Sequence, residues 1–442
     1  MNYMQNQIQN EIQKRIGFRI LNSRDVKLLM NLLEEQQIRG IGFNTLRRFW
    51  GLLPQTNASQ NTLDKLSNFL GYHSFQAYSK EKNQHQKWLT EARLQELKHK
   101  NRLSKIDIEF IQNICRTQDS IYYFIAVFEH AVFFEKWDYL SDLFDPKYNT
   151  LMYNSSEDVT EYSTKMAYLI NIYLNNLPKP YFDRIINPLI TNYHFRYYII
   201  YSYVDMMNIN HRYGEIIKTI QPKAINTEEE LFLTLLNGLW SYLNTGHAPE
   251  VNFTNLDLVL LPKVLVGRYY GYQILQAKDS QDGIREDKFW TEFKKRFEQA
   301  GAQDIKWFLF EMIHHLIIIR DFEKLEYLFK KSYETVMDDF HLHSYFDVFI
   351  FNLIDVIVSF KNSELKRAKI IFSQLDTNIV KRNFYRYHYL IFYHSVGYHL
   401  HQDNNLKSFH KKEYFELAKK TQFKTFDHDY LECFLSAPLQ HD

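Results

Sequence analysis

Glycine and proline are scarce in this chain of 442 residues, which contains 13 and 9 of them. Sheet-rich folds use these residues in their many turns, so the shortage favours long helices joined by short connections. The two cysteines, Cys115 and Cys433, are too few for a disulfide framework or a cysteine-rich zinc site. No apolar run reaches the roughly 20 residues that a membrane-spanning helix requires. These absences predict an all-α protein without a membrane partner.

The usual motifs of catalytic and cofactor sites are also missing. The sequence has no Gly-x-x-x-x-Gly-Lys-Ser/Thr or Gly-x-Gly-x-x-Gly loop, no Gly-x-Ser-x-Gly elbow and no His-Glu-x-x-His pair. Residues 1–20 lack the apolar core of a secretory signal. We therefore expect a cytoplasmic protein that is not an enzyme and holds no cofactor and no metal ion.

The 18 histidines are the nearest approach to a metal site. Two ligands on one helical face need a spacing of three or four residues, and the closest pairs do not have it. We interpret them as polar or half-buried helix positions. The groups concerned are His314 with His315, His341 with His343, and the later cluster of His394, His399 and His401.

Charge is distributed unevenly along the chain. The segment that ends at Lys105 carries 17 Lys and Arg against 8 Asp and Glu, whereas the remainder carries 36 against 44. A basic head on a larger acidic body indicates two different tasks, with the head as the candidate for an anionic partner.

Apolar, aromatic-rich helical patterns recur from about residue 120 onward at intervals of roughly 33 to 43 residues. The clearest copies are residues 128–144 and 307–329, and residues 210–217 form a weaker one. A helix pair of this size buries its apolar face only against neighbouring pairs. In period and pattern the body, residues 119–442, resembles tetratricopeptide-like repeats. The resemblance predicts an α-solenoid, and an irregular helical bundle is the alternative.

The basic head divides into three short helical patterns, over residues 24–37, 43–50 and 62–70. In the middle pattern the apolar residues lie three or four apart and would face a core. Gly51 is suited to the end of this helix, and Asn61 with Asp64 to the start of the next. The positions of the middle helix left outside the core are Asn44, Thr45, Arg47 and Arg48.

Residues 44–51 and 62–72 resemble the helix-turn-helix head common in proteins of Bacteroidetes-type bacteria, and more distantly phage-repressor-type domains. The resemblance implies a DNA-binding domain over residues 21–80, between a polar lead (1–20) and a charged connecting helix (81–118). Its recognition helix would be residues 43–50, with Arg47 and Arg48 as readers of bases or phosphates beside Asn44 and Thr45. The residues placed to hold phosphates are Arg39, Lys65 and the helix start at Asn61 and Thr62.

Two functions are compatible with this organisation. The first is a bacterial regulator whose head binds DNA and whose body forms a homodimer or senses a peptide or protein in the solenoid groove. The second is an adaptor whose solenoid binds a partner protein while the head no longer touches DNA. An enzyme hidden in the helical body is a third, less favoured alternative.

Tyrosines recur near the first helix of several repeats. They suit either a peptide groove or the core between helices, and we favour the core. They are Tyr197, Tyr198, Tyr201, Tyr203, Tyr269, Tyr270, Tyr272, Tyr385, Tyr387, Tyr389 and Tyr393.

Overall fold

The computed structural model divides the chain into two compact units, Met1–Leu103 and Ser104–Asp442. Every regular element among the described residues is helical, which confirms the all-α prediction. The described residues are 3–54, 57–115, 121–145, 147, 157–201, 204–253, 256–338, 345–382 and 385–436.

The described part of the first unit contains five helices around one hydrophobic core. They are α1 (Tyr3–Ile16), α2 (Ser23–Glu35), α3 (Phe43–Phe49), α4 (Gln60–Phe69) and α5 (Phe75–His99).

Helix α1 lies in the segment expected to be a polar lead. Ile8 and Ile12 of this helix are completely buried and belong to the same core as Leu46 and Phe49 of α3. Helix α5 continues through residue 80, where the sequence placed the end of the head. The described part of the expected connecting helix (81–118) therefore comprises the rest of α5 and a separate helix over Lys105–Cys115.

The described part of the second unit consists mainly of helices. They are α6 (Lys105–Cys115), α7 (Ile121–Phe133), α8 (Trp137–Leu143), α9 (Glu157–Asn176), α10 (Lys179–Thr191), α11 (Tyr193–Phe195), α12 (Arg212–Ile220), α13 (Thr227–Thr245), α14 (Lys263–Asp279), α15 (Gly283–Glu298), α16 (Ala302–Ile318), α17 (Phe322–Asp338), α18 (Tyr345–Lys361), α19 (Leu365–Gln374), α20 (Arg386–Leu400), α21 (Asn404–Thr421) and α22 (His428–Cys433), with a π-helical segment at Arg196–Tyr201 and 3₁₀ turns at Gln221–Lys223 and Ile379–Arg382.

Four connections in this unit share one backbone geometry. Each has three residues, the middle one has a φ between 53° and 63°, and the third donates its N–H to a carbonyl five residues earlier at 2.8 to 2.9 Å. This hydrogen bond and the left-handed residue before it form the Schellman ending of a helix. Two of the four lie within residues 128–144 and 307–329, the clearest repeats in the sequence. The left-handed residues are Glu135, Gln281, Arg320 and Ser363.

Helices α14 and α16 approach closely because α14 carries glycine where they meet. A Cβ on Gly267 would lie 2.4 Å from the carbonyl oxygen of Phe308, and one on Gly271 would lie 2.8 Å from the ring of His315. The four-residue spacing of these glycines predicts such packing between neighbouring helices, and the structure agrees.

The C-terminal segment of the second unit contacts helices far earlier in the chain. The backbone N–H of Thr425 donates to the carbonyl of Leu243 at 3.1 Å, and the amide of Asn210 donates to the carbonyl of Thr421 at 2.9 Å, across 211 residues. In a simple solenoid each repeat contacts only its neighbours. This unit is therefore more closed than an open stack of helix pairs.

The recurring tyrosines lie in the interior between helices. Tyr270 and Tyr272 are almost completely buried, and the other described members of the set are buried or half-buried. Tyr203 lies outside the described residues. Their placement agrees with core filling.

Candidate nucleic-acid interface

Helix α3 is short, and its sequence explains both its ends and its orientation. Leu46 and Phe49, three residues apart, are buried and fix the inner face. Gly51 follows the helix with a φ of 74°, a backbone conformation that favours glycine. The N–H of Leu52 then donates to the carbonyl of Arg47 at 2.8 Å. The helix spans Phe43–Phe49 with Trp50 as its C-cap, within the predicted range of 43–50.

Side chains from two other helices hold the ends of α3. The amide Nε2 of Gln9 in α1 donates to the carbonyl of Phe49, and Nζ of Lys65 in α4 donates to the carbonyl of Gly40 at 3.1 Å. One bond satisfies the carbonyl of the last residue of α3, and the other satisfies a carbonyl in the loop that precedes the helix. The role of Gln9 is not readable from the sequence, because it arises only when α1 packs against α3.

Three of the four predicted readers of α3 lie on the side of the helix away from the core. Asn44 and Arg48 are exposed, while Thr45 and Arg47 are half-buried. Positions three and four apart share a helical face, so Asn44 lies beside both arginines. Asn44, Arg47 and Arg48 therefore lie together on the side opposite Leu46 and Phe49, whereas Thr45, four residues before Phe49, lies at the border of the buried face.

Arg47 is held by contacts within its own helix. Its Nη1 donates to Oδ1 of Asn44 at 3.3 Å, and its guanidinium carbon lies 5.5 Å from the centroid of the Phe43 ring. Its Nε is enclosed without a hydrogen-bond partner among the described residues. The side chain of Arg48, in contrast, has no hydrogen bond or ion pair to any described residue and is exposed. The two side chains therefore differ in how many contacts fix their orientation, although they are adjacent.

Two further predicted residues lie at the loop that precedes α3. Arg39 is exposed in this loop, next to Gly40, whose φ is 80°. Lys65 reaches the same loop through its bond to the Gly40 carbonyl. Arg39 and Lys65 thus border the segment that leads into α3.

The start of α4 differs from the prediction. The helix begins at Gln60, and the side chain of Ser59 caps it by accepting the Thr62 N–H at 3.3 Å. Thr62 is 7% exposed, so neither its side chain nor its N–H is available to a phosphate. Asn61 is exposed. Asp64 does not pair with Asn61 but accepts from Gln60 and from the backbone N–H of Phe75.

Four buried histidines of the second unit form two pairs. Nε2 of His314 lies 2.7 Å from Nδ1 of His388, and Nδ1 of His394 lies 3.0 Å from Nδ1 of His410. Burial lowers the pKa of His388 to about 3, so this pair is neutral at pH 7. Within the described ranges no three His, Cys, Asp or Glu side chains converge as metal ligands. His341 and His343 lie outside those ranges.

A buried ion pair that the sequence did not indicate lies between α14 and α16. Nη2 of Arg268 contacts Oε1 of Glu311 at 2.6 Å, with both side chains almost fully buried. The hydroxyl of Tyr385 donates to the same oxygen at 2.9 Å. Burial alone raises the pKa of Glu311, but the charge and hydrogen bond of Arg268 outweigh it and hold the pKa below its ordinary value. The partners are 43 residues apart, a distance at which no local pattern reveals them.

A carboxylate that forms no ion pair with any described residue is buried in the same unit. Oδ2 of Asp205 accepts from the amides of Asn175 at 2.6 Å and Asn208 at 2.8 Å, whereas Oδ1 has no partner among the described residues. Burial raises the pKa of Asp205 to about 6, against the lowering effect of these amides. The folded unit therefore binds a proton here more tightly than the unfolded chain does.

Replacing Asp205 with Asn will stabilise the protein above pH 7. Because the folded pKa exceeds the ordinary value near 3.8, the contribution of Asp205 to stability declines as the pH rises through about 6. The variant lacks this ionisation, so the difference between its free energy of unfolding and that of wild type shrinks as the pH falls toward 4. Urea unfolding followed by circular dichroism at pH 4.5, 6 and 8 measures the difference. An advantage that is equal at all three values contradicts the assignment.

Comparison with known proteins identifies no match. No family model matches the chain, no curated protein matches it, and no solved structure matches it. None of the described helices combines the length and apolarity that crossing a bilayer requires.

Proposed function

We propose that the chain is a non-enzymatic bacterial regulator whose first unit binds double-stranded DNA through α3. The observation that carries this proposal is the polar side of α3, where Asn44, Arg47 and Arg48 lie together opposite the buried face. An α-helix fits the major groove, and arginine bonds there to the N7 and O6 acceptors of guanine. In this proposal α3 is the recognition helix of a helix-turn-helix-like domain.

The charge of the first unit supports the same proposal. Residues 1–103 contain 16 Lys and Arg against 8 Asp and Glu. Such an excess attracts the DNA backbone and releases its counterions on binding. In our proposal Arg39, Lys65 and Asn61 contact phosphates, whereas the burial of Thr62 removes it from that group.

The second unit serves protein recognition in this proposal, as a tetratricopeptide-like superhelix. The shared three-residue connections support a repeat architecture. Helix α7 and the residue that follows it expose three large aromatic side chains, Tyr122 at 61%, Phe133 at 63% and Phe134 at 57%. Exposed apolar groups of this size are typical of surfaces that bind another protein. A peptide, a protein or a second copy of the chain is the partner we assign to this unit.

One observation favours the adaptor as a second candidate. Arg47 is half-buried and already satisfied in part by Asn44 and the Phe43 ring, as expected for a side chain that stabilises its own helix. In an adaptor the first unit keeps its fold and its charge without binding DNA, and only the second unit has a partner.

Replacing Arg47 and Arg48 together by Ala separates the two candidates. The regulator loses binding to duplex DNA, because the double variant removes both cations from α3. A matched control replaces Lys80 and Lys87 of α5 by Ala, which removes the same charge from exposed positions of the same unit. Electrophoretic mobility shift at low salt measures both variants. Equal affinities for the two variants contradict a role for α3, and a wild-type chain that does not shift DNA favours the adaptor.

A further inference from the structure

The two arginines of α3 are not equivalent, and their contacts assign them different ligands. Resting on the proposed function, we infer that Arg47 is the specificity-determining residue, which binds the major-groove edge of a guanine, and that Arg48 binds a backbone phosphate. The distinction comes from how each guanidinium is held.

Arg47 has a restricted orientation before any ligand arrives. Its Nη1 is bonded to Asn44 Oδ1 at 3.3 Å, its guanidinium carbon lies 5.5 Å from the Phe43 ring centroid, and its Nε is enclosed. Nη2 makes no hydrogen bond to any described residue, so the end of the fork formed by Nη1 and Nη2 is left for a ligand. A guanidinium held in this way loses less freedom on binding. Two adjacent acceptors, such as guanine O6 and N7, match that end of the fork.

Asn44 acts through Arg47 in this assignment. Its Oδ1 accepts from the guanidinium, so the amide is a positioning residue for Arg47 and not a separate reader of adenine.

Arg48 has the properties of a phosphate contact. It is exposed one position further along the helix and has no partner among the described residues that fixes its orientation. An exposed cation that contacts a phosphate contributes to affinity through charge and carries no sequence information. Lysine replaces arginine well in such a role, but not at a bidentate site.

Selection of a preferred duplex from a random-sequence pool with the full-length chain provides the probe for a test. Arg47→Lys is expected to weaken binding to the selected duplex about tenfold to a hundredfold while leaving binding to an unrelated duplex unchanged. Arg48→Lys is expected to stay within about twofold of wild type on both duplexes, and Arg48→Ala to weaken both equally. Thermal unfolding of each variant shows whether the first unit is intact.

A second measurement needs no variant. Substituting 7-deazaguanine for each guanine of the selected duplex in turn removes one N7 acceptor. We expect one position to weaken wild-type binding about tenfold, and the same substitution to have little effect on Arg47→Lys. This inference is wrong, while DNA binding stands, if Arg47→Lys retains full selectivity. It is also wrong if the effect of 7-deazaguanine at that position persists in Arg47→Lys and disappears when Arg48 is replaced. If the wild-type chain selects no duplex, the proposed function itself fails, and this inference fails with it.

Discussion

Arg268→Ala will destabilise the second unit by about 3–5 kcal/mol, the cost typical of leaving a buried charge without its partner. Arg268 and Glu311 are 4% and 2% exposed, so water cannot replace the lost cation. Glu311 then either remains charged in the interior or takes up a proton, and each choice costs free energy. The guanidinium also lies 4.7 Å from the ring centroid of Phe232, a contact that the variant loses.

Urea unfolding monitored by far-ultraviolet circular dichroism measures this loss. The control is the double variant Arg268→Met, Glu311→Leu, which removes both charges and fills a similar volume. Because no unpaired charge remains, the double variant should be more stable than Arg268→Ala alone, although the hydroxyl of Tyr385 loses its acceptor. A single variant as stable as wild type means that the pair is not buried as the structure places it.

Gly267→Ala will also destabilise the second unit, by about 3 kcal/mol, because the added methyl group cannot be accommodated. The new Cβ would lie 2.4 Å from the carbonyl oxygen of Phe308 and 3.2 Å from two further backbone atoms of that residue. Backbone does not move aside as a flexible side chain does, so α14 and α16 must separate.

A matched glycine provides the control for this substitution. Gly283 is the first residue of α15, and a Cβ added there meets nothing within 4 Å. Gly283→Ala is expected to be neutral or to stabilise by about 0.5 kcal/mol, because alanine loses less backbone entropy on folding. Differential scanning calorimetry of the two variants compares them directly. Equal transition temperatures for both would show that α14 and α16 are not in backbone contact at Gly267.

The sequence predicts those features of the fold that depend on local pattern. The scarcity of glycine and proline indicates helices, the spacing of Gly267 and Gly271 indicates close helix packing, and residues 128–144 and 307–329 share the geometry of their connections. The buried face of α1 is also predictable from the sequence, because Ile8 and Ile12 are four residues apart. The many glutamines and asparagines around them favour a polar segment instead, which is why we expected no helix there.

Features that depend on tertiary contacts could not be predicted in this way. Arg268 meets Glu311 across 43 residues, and Asn210 meets Thr421 across 211. The hydrogen bond from Gln9 to the Phe49 carbonyl of α3 forms only when α1 packs beside α3. At the candidate interface, the spacing of the apolar residues predicts the outward positions of α3 other than Thr45, whereas Ser59 caps α4 and occupies the Thr62 N–H that we expected to hold a phosphate.

The affinity of the full-length chain for duplex DNA, measured by fluorescence anisotropy over a series of salt concentrations, tests the central claim most directly. We predict saturable binding. The logarithm of the association constant should fall linearly with the logarithm of salt concentration, with a slope that Arg48→Ala makes shallower by about one. Absence of saturable binding at low salt, or binding insensitive both to salt and to loss of Arg47 and Arg48, would contradict it.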